Sequence, residues 1–270
     1  MNNKIIVLSN GLLGSTVFHY LSYKYGADKV RQVMSKYPSD EFQREIEYFD
    51  KKGNVIINAA GAILQRTDKF GINYEIPHYL ISVLKHARII HPSSSCVFSG
   101  LKLSSYSKED RMDSTTPYGL SKARGDALIL EKNDPRFKIV RTSIIGDDVD
   151  KKSFLGWVTS QPLNATINGY IYEIFGGVTT LTWAKIADDM IHRWEAYDIL
   201  THVSCKYPLS KYDLINDIKK VYGRQDIKVL VDSRVKLDKS LVPDIVTDDI
   251  YDQLIEFRDF YKKLEKGFYE

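Results

Sequence analysis

The sequence lacks the features that mark several large classes of protein. It has two cysteines among 270 residues, Cys96 and Cys205, too few for a disulfide framework and without a C-x-x-C pair. No stretch approaches the roughly 18 apolar residues that span a bilayer. The apolar run entered from Lys4 is too short for a signal peptide and has no cleavage site. We therefore expect a reducing, cytoplasmic location and no membrane partner.

Neither sign of charge dominates the chain. The sequence has 38 Lys and Arg against 35 Asp and Glu, a net charge of +3. Because this small surplus is mixed along the chain, no nucleic-acid partner is predicted. The six histidines show no metal-ligand spacing, so no metal site is expected.

Short apolar runs alternate with helical periodicities over residues 1–147. The runs at 4–8, 54–58 and 87–93 are continuous, as in buried parallel strands, and apolar residues recur at helical spacing between them. This alternation predicts an α/β fold with a Rossmann-type, doubly wound parallel sheet as a dinucleotide-binding domain over 1–147. Residues 148–270 are expected to form mainly a smaller C-terminal substrate-binding lobe, with some segments returning to the first domain.

A turn rich in small residues follows the first predicted strand. Gly11 and Gly14 precede an apolar-periodic helix, and such a turn lets a pyrophosphate approach the backbone and the helix N-terminus. A third glycine would be expected three positions before Gly11, where the chain has Leu8. An ordinary strand–helix turn explains the pattern equally well.

The end of the second predicted strand bears on the choice of cofactor. An acidic residue about 20 positions past the glycine turn would bind the ribose 2′-hydroxyl of NAD. The chain has Ser35 and Lys36 there, with Arg31 nearby and no acid at 34–37. This composition favours NADP(H) weakly over NAD(H).

Tyr118 and Lys122 carry the strongest chemical signal. They lie on a predicted helix from Pro117 to Lys132, and a spacing of four places them on one helix face. A nearby ammonium and a cationic nicotinamide would lower the tyrosine pKa from about 10, so that the hydroxyl could exchange a proton with a substrate oxygen. Such pairs are common by chance, but Ser94 stands upstream at the end of a buried strand, where α/β sheets place their chemistry.

Together these motifs resemble, in order and spacing, the extended short-chain dehydrogenase/reductases, and most of all their dTDP-4-dehydrorhamnose reductase branch. The resemblance covers most of the chain. It is carried by the glycine turn at 11–14, by Asn58-Ala59-Ala60-Gly61, by Asn73 and Pro77, by Ser94 with Val97-Phe98-x-Gly100, by Pro117-Tyr118-Gly-x-Ser-Lys122, by Arg141-Thr142-Ser143 and by Lys239-Ser240-Leu241.

The resemblance implies a role for each part of the site. Ser94 would hydrogen-bond the substrate carbonyl, Tyr118 would donate the proton, and Lys122 would hold the nicotinamide ribose. The implied cofactor contacts are Asn10, Gly11, Leu12, Leu13, Gly14, Ser35, Lys36, Asn58, Ala59, Ala60, Gly61, Tyr118 and Lys122. The expected substrate contacts are Ser94, Ser95, Tyr118, Trp157 and Thr179.

The implied reaction is reduction of the 4-keto group of a nucleotide-linked 4-keto-6-deoxy sugar, as in deoxysugar and surface polysaccharide biosynthesis, by a homodimer. The branch commonly has Thr-Asp-Tyr where this chain has Ser94-Ser95-Cys96. The missing acid disfavours a dehydratase. A nucleotide-sugar epimerase on the same scaffold remains open, as does a regulatory subunit that binds a nucleotide without turnover.

Overall fold

The computed structural model describes residues 3–63, 66–148 and 150–266. The strands are β1 Ile5–Leu8, β2 Val30–Val33, β3 Val55–Ile57, β4 Arg88–Ser94, β5 Phe137–Thr142, β6 Ile144–Ile145, β7 Thr166–Phe175, β8 Val178–Thr179, β9 Leu200–Cys205, β10 Leu209–Ser210, β11 Lys228–Asp238 and β12 Ile245–Thr247. The helices are α1 Leu12–Tyr25, α2 Asp40–Phe49, α3 Ile72–Val83, α4 Pro117–Lys132, α5 Phe154–Thr159, α6 Thr180–His192, α7 Lys211–Tyr222 and α8 Ile250–Glu265.

Seven strands form one parallel sheet in the order β12-β9-β5-β4-β3-β1-β2. The chain leaves β1 to pair β2 on one side and then crosses to β3 on the other. That reversal creates a switch point beside the carboxyl end of β1, the place where doubly wound sheets bind ligands. The predicted doubly wound α/β fold is confirmed.

Helices cover both faces of this sheet. In β1, Ile5 and Val7 point into the core that α1 and α6 complete, whereas Ile6 and Leu8 point into the core made with α2, α3 and α4. Side chains alternate across a strand, so a continuous apolar run is what a sheet buried on both faces requires.

A smaller lobe stands beside the sheet. Its three-stranded sheet has the order β10-β7-β11, and α5, α7 and α8 pack over a separate apolar core. The chain does not divide cleanly at residue 147, because α6, β9 and β12 return to the seven-stranded sheet and its cover. Among the described residues, no helix has the length and apolarity needed to cross a membrane.

Candidate active site

Ser94 ends β4 at the carboxyl edge of the sheet. Its hydroxyl accepts a hydrogen bond from the backbone N–H of Cys96 (3.1 Å), which starts a short 3₁₀ turn. The neighbouring Ser95 lies deeper, with its Oγ 2.6 Å from that of Ser143. Because β3 and β5 flank β4, Ser94 occupies the middle of the sheet edge.

The start of α4 brings Tyr118 to the same edge. Thr116 caps the helix by accepting a hydrogen bond from the Gly119 N–H (3.1 Å), and Pro117 occupies the first turn. A Cβ on Gly119 would lie 2.1 Å from the Cys96 carbonyl oxygen and 2.0 Å from the Ser114 hydroxyl. Only glycine therefore lets the helix pack this closely against the strand end.

The protein's own residues hold Tyr118 in its protonated form. Burial raises its pKa and the nearby Cys96 acts in the same direction, while a hydrogen bond with Ser94 lowers the pKa only in part. This direction is opposite to the lowering expected from the sequence. Lys122 is not among the groups that shift the Tyr118 pKa, and its ammonium donates to the Pro92 carbonyl (2.7 Å).

Lys122 is itself strongly affected by its surroundings. Its side chain is buried, and burial lowers its pKa from 10.5 to about 8, although Asp126 acts in the opposite direction. Beside it, Asn58 Nδ2 donates to His91 Nδ1 (3.1 Å). Burial and the Lys122 charge keep the pKa of His91 well below its usual range. Asn58 Oδ1 and His91 Nε2 have no hydrogen-bond partner within the part of the chain that the structure describes.

The glycine turn differs from the sequence-based interpretation. Leu8 is fully buried inside β1, and the sharp position of the turn is Ser9, with φ of 76°. The Ser9 hydroxyl accepts a hydrogen bond from the Gly11 N–H (3.2 Å). A Cβ on Gly14 would lie 2.3 Å from the Ser9 carbonyl oxygen, so glycine is required there. Ser9, and not Leu8, is therefore the position at which the backbone of this turn favours a glycine.

A cavity of about 340 Å³ opens at this turn. Its lining includes Asn10, Gly11, Leu12 and Ser15 together with Arg66, Asp147, Asp148, Asp150, Lys151 and Tyr261. Leu13 and Gly14 lie buried behind it. The first turn of α1 has no side-chain cap and no acidic residue, so its N–H groups are suited to an anion.

Three carboxylates from the segment after β6 oppose an anion in that cavity, and the cations Arg66 and Lys151 offset them only in part. The Arg66 guanidinium lies 2.8 Å from Asp148 and 3.5 Å from Asp150. The open helix N-terminus and this cation together fit the pyrophosphate of a dinucleotide. The predicted contacts Ala59, Ala60 and Gly61 follow β3, which ends next to β1.

The predicted ribose contacts lie just beyond β2. Ser35 donates a hydrogen bond to the Glu45 carboxylate, Lys36 is exposed, and Arg31 donates to the Ala27 carbonyl (2.5 Å). An acid therefore does lie at this end of the sheet. The spacing from the glycine turn did not predict this acid, because Glu45 lies on α2 and not at the end of β2.

The two lobe residues expected to bind substrate differ in exposure. Trp157 on α5 is 39% exposed, with its ring 5.8 Å from that of Phe154. Thr179 is 1% exposed, and its hydroxyl caps α6 by accepting from the Thr182 N–H (3.2 Å). The position of Thr179 therefore gives it a role in the fold.

A buried ion pair beneath the site was not foreseen. Asp126, four residues after Lys122 on the same face of α4, lies 2.7 Å from the Arg141 guanidinium of β5 and accepts from the Ser93 hydroxyl (2.5 Å). The four-residue spacing of Tyr118, Lys122 and Asp126 places all three on one face of α4, so the position of the acid could have been predicted from the sequence. No group of three or more His, Cys, Asp or Glu side chains that could hold a metal occurs in residues 3–63, 66–148 and 150–266.

Comparisons with known proteins agree with this architecture. The seven-stranded parallel sheet, with helices on both faces, defines a Rossmann-type α/β fold. Residues 9–231 match the family described as RmlD substrate binding domain, so the chain belongs to that family. It is 32% identical over 136 residues to a dTDP-4-dehydrorhamnose reductase of Aggregatibacter actinomycetemcomitans, a match covering 47% of this chain and 46% of that one. The chain thus matches about half the length of this curated relative.

Two solved structures show the same fold over nearly the whole chain. A dTDP-4-dehydrorhamnose reductase of Bacillus anthracis in complex with NADP has a TM-score of 0.77 at 18% identity, covering 96% of this chain and 100% of that one. A dTDP-4-dehydrorhamnose reductase of Clostridium acetobutylicum has a TM-score of 0.73 at 21% identity, with coverage of 96% and 99%.

Proposed function

We propose that this protein is an NAD(P)H-dependent reductase of the 4-keto group of a nucleotide-linked 4-keto-6-deoxy sugar. The observation that carries the proposal is the meeting of Ser94, Tyr118 and Lys122 at the carboxyl edge of the sheet. Family membership and the named relatives support it. We further propose a homodimer in the cytoplasm that serves deoxysugar or surface polysaccharide biosynthesis.

The proposed reaction divides the work among these three side chains. A bound nicotinamide cofactor supplies the hydride. Ser94 binds the substrate carbonyl oxygen, and Tyr118 donates the proton to that oxygen. Because burial raises the pKa of Tyr118 above 10, the hydroxyl is protonated at neutral pH, as a proton donor for reduction must be. Lys122 would hold the nicotinamide ribose.

The cofactor would extend from Lys122 across the end of β1. We propose that Asn58, Ala59, Ala60 and Gly61 line it, and that the α1 N-terminus with Arg66 holds the pyrophosphate. A weak preference for NADP(H) is proposed from Lys36. Glu45 would oppose a 2′-phosphate, so the dissociation constants of NADPH and NADH test this point directly, and tighter binding of NADH would refute the preference.

The decisive test is oxidation of NADPH by the purified protein with dTDP-4-dehydrorhamnose. We expect turnover in the wild type and a loss of at least about a hundredfold in Tyr118→Phe, the usual size of general acid catalysis. Tyr48→Phe is the matched control, because it removes the hydroxyl of an exposed tyrosine on α2 that belongs to none of the proposed contacts. It should retain activity. No turnover with a panel of 4-keto sugars, despite cofactor binding, would refute the reductase.

A nucleotide-binding protein without turnover is the second candidate. It is favoured by one observation: the end of β4 reads Ser94-Ser95-Cys96 where the reductase branch commonly has Thr-Asp-Tyr, so an acid and a tyrosine beside the catalytic hydroxyl are missing. Cofactor binding without hydride transfer to any sugar would support it. Interconversion of sugar epimers without net NADPH oxidation would instead identify an epimerase.

A further inference from the structure

The side chain of Tyr261 joins the smaller lobe to the glycine turn. Tyr261 lies on α8, where its ring packs against the apolar core of the lobe and has its centre 4.8 Å from that of Phe257. Its hydroxyl reaches the hydroxyl of Thr16 on α1, with 2.7 Å between the two oxygens. Thr16 is fully buried and directly follows the first turn of α1. The last helix of the chain therefore contacts the helix whose N-terminus is proposed to hold the cofactor.

The cavity at this turn has more negative than positive charge in its lining. Three carboxylates stand against two cations, namely Asp147, Asp148 and Asp150 against Arg66 and Lys151. Arg66 already pairs with Asp148 and Asp150. Lys151 already pairs with Asp147. A pyrophosphate in this cavity would therefore depend on uncharged hydrogen-bond donors as well as on Arg66.

Tyr261 can supply such a donor. Among the lining residues that the structure describes, Ser15 and Tyr261 carry hydroxyl groups. Thr16 Oγ1 lies 3.0 Å from Thr180 Oγ1, so a chain of hydroxyls runs from Thr180 through Thr16 to Tyr261. The competing contact of Thr16 with the Leu12 carbonyl is longer, at 3.4 Å. When each hydroxyl in the chain donates to the next, the proton of the Tyr261 hydroxyl is available to an oxygen in the cavity.

The surroundings of Tyr261 keep that proton in place. Burial raises the pKa of Tyr261, while its hydrogen bond with Thr16 lowers the pKa only in part. The hydroxyl is therefore protonated at neutral pH and can donate to an anion.

We propose that Tyr261 binds the pyrophosphate of the cofactor and thereby couples the smaller lobe to the cofactor site. The hydroxyl donates to a pyrophosphate oxygen while the ring stays packed in the lobe core, so a bound cofactor holds α8 against α1. This inference rests on the proposed function, because that function places a dinucleotide at the glycine turn. It gives the cofactor a direct contact with the body that is proposed to bind the sugar.

Calorimetry on the full chain tests the contact with ADP, which carries a diphosphate, and with NADPH. Tyr261→Phe should weaken both by about tenfold, the worth of a hydrogen bond to a charged group. Tyr222→Phe is the matched control, because Tyr222 lines the adjoining cavity together with Tyr261 and Asp147 but not the cavity at the turn. It should change neither dissociation constant by more than about twofold.

Amide hydrogen exchange tests the coupling separately. In the wild type, ADP should slow exchange at 12–16 in α1 and at 257–263 in α8. At a saturating ADP concentration, Tyr261→Phe should keep the protection of α1 and lose the protection of α8. If Tyr261 served only to pack α8 on α1, its variant would speed exchange in α8 without ADP and leave the affinity for ADP unchanged.

Three results would overturn the inference. They are an affinity of Tyr261→Phe for ADP and NADPH within about twofold of the wild type, an equal loss in Tyr222→Phe, and an α8 that ADP never protects. None of these readouts needs turnover. A wild type that binds both ligands through Tyr261 but reduces no sugar would refute the proposed function alone, and unchanged binding by Tyr261→Phe beside an active wild type would refute this inference alone. A wild type that binds neither ADP nor NADPH would refute both.

Discussion

At the scale of single residues, Ser9 controls the turn after β1. Its φ of 76° lies in the left-handed region, and its hydroxyl accepts the Gly11 N–H. Ser9→Gly should tighten NADPH binding by about fivefold, because a freed hydrogen-bond donor is worth about 1 kcal/mol. The free energy of unfolding should change little, since relief of strain and added chain entropy oppose each other. A fluorescence titration with NADPH measures the affinity.

Ser9→Ala is the companion variant for this test. It also frees the Gly11 N–H, so affinity should rise. Stability should fall by about 1 kcal/mol, because the hydrogen bond is lost and the side chain at positive φ remains, with no relief of strain to offset the loss. If neither variant binds NADPH more tightly, the Ser9 hydroxyl is not competing with the cofactor.

Lys122 gives a prediction with a defined pH window. Its pKa is lowered from 10.5 to about 8 in the folded state, so below pH 8 the native protein carries a buried charge that costs about 3 kcal/mol. The cost shrinks as the pH rises from about 8 to 10.5, because the native state then binds fewer protons than the unfolded state. Lys122→Met should therefore raise the free energy of unfolding at pH 7 by about 2 kcal/mol after losing its hydrogen bond to Pro92.

Urea denaturation at pH 7 and pH 10 measures this difference. The increase in the free energy of unfolding caused by Lys122→Met should be smaller at pH 10 than at pH 7. The control Lys52→Met removes an exposed lysine, and its effect on the free energy of unfolding should not depend on pH. A gain that is equal at both pH values, or a loss at pH 7, would contradict the assigned burial cost. We expect Lys122→Met to lose reductase activity despite its greater stability.

The proposed catalytic side chains were selected from the sequence because their signals are local. Ser94 ends an apolar run, and Tyr118 and Lys122 share one turn of a helix. Glu45 was not predictable from the end of β2, because it lies on the following helix α2, ten residues beyond Ser35. Thr179 was expected to contact the substrate. The composition of its segment did not predict that it would be buried as the N-cap of α6.

At the scale of elements, Asp126 fixes α4 to the sheet through Arg141. Both side chains are almost fully buried, at 0% and 1% exposure. Asp126→Asn keeps the shape but leaves the guanidinium uncompensated, which should lower the free energy of unfolding by about 3–5 kcal/mol. Chemical denaturation followed by circular dichroism measures the change.

An exposed pair of the same chain provides the comparison. Glu256 pairs with Lys185 at 51% and 40% side-chain exposure, so Glu256→Gln should cost at most about 1 kcal/mol. If Asp126→Asn and Glu256→Gln lowered the free energy of unfolding by similar amounts, the buried pair would not anchor α4.

Helices were easier to predict than the strands of the lobe. The periodicity from Pro117 to Lys132 predicted α4 with its observed bounds, because the proline marks its start. The strands β7 and β11 gave no such signal. Much of β11 is exposed, and β7 alternates between exposed and buried residues only over 166–169, so neither strand has a continuous apolar run or a sustained alternation.

At the scale of the whole molecule, the chain passes repeatedly between the sheet and the lobe. It enters the lobe at α5 and β7, returns for α6 and β9, leaves again for α7 and β11, and returns for β12. The lobe core also contains α8, which follows β12. A boundary in sequence therefore describes only where the lobe first begins. The cavity at the glycine turn is accordingly lined by residues from both ends of the chain, such as Asn10 and Tyr261.

This winding affects how the protein is made. A ribosome delivers β1 to β5 first, and β5 gains its second neighbour only when β9 (Leu200–Cys205) has emerged. Until then a strand with six buried residues presents an open edge, the kind of surface that recruits other chains. We expect the nascent polypeptide to depend on chaperones through this interval, and slow translation after residue 142 to increase aggregation.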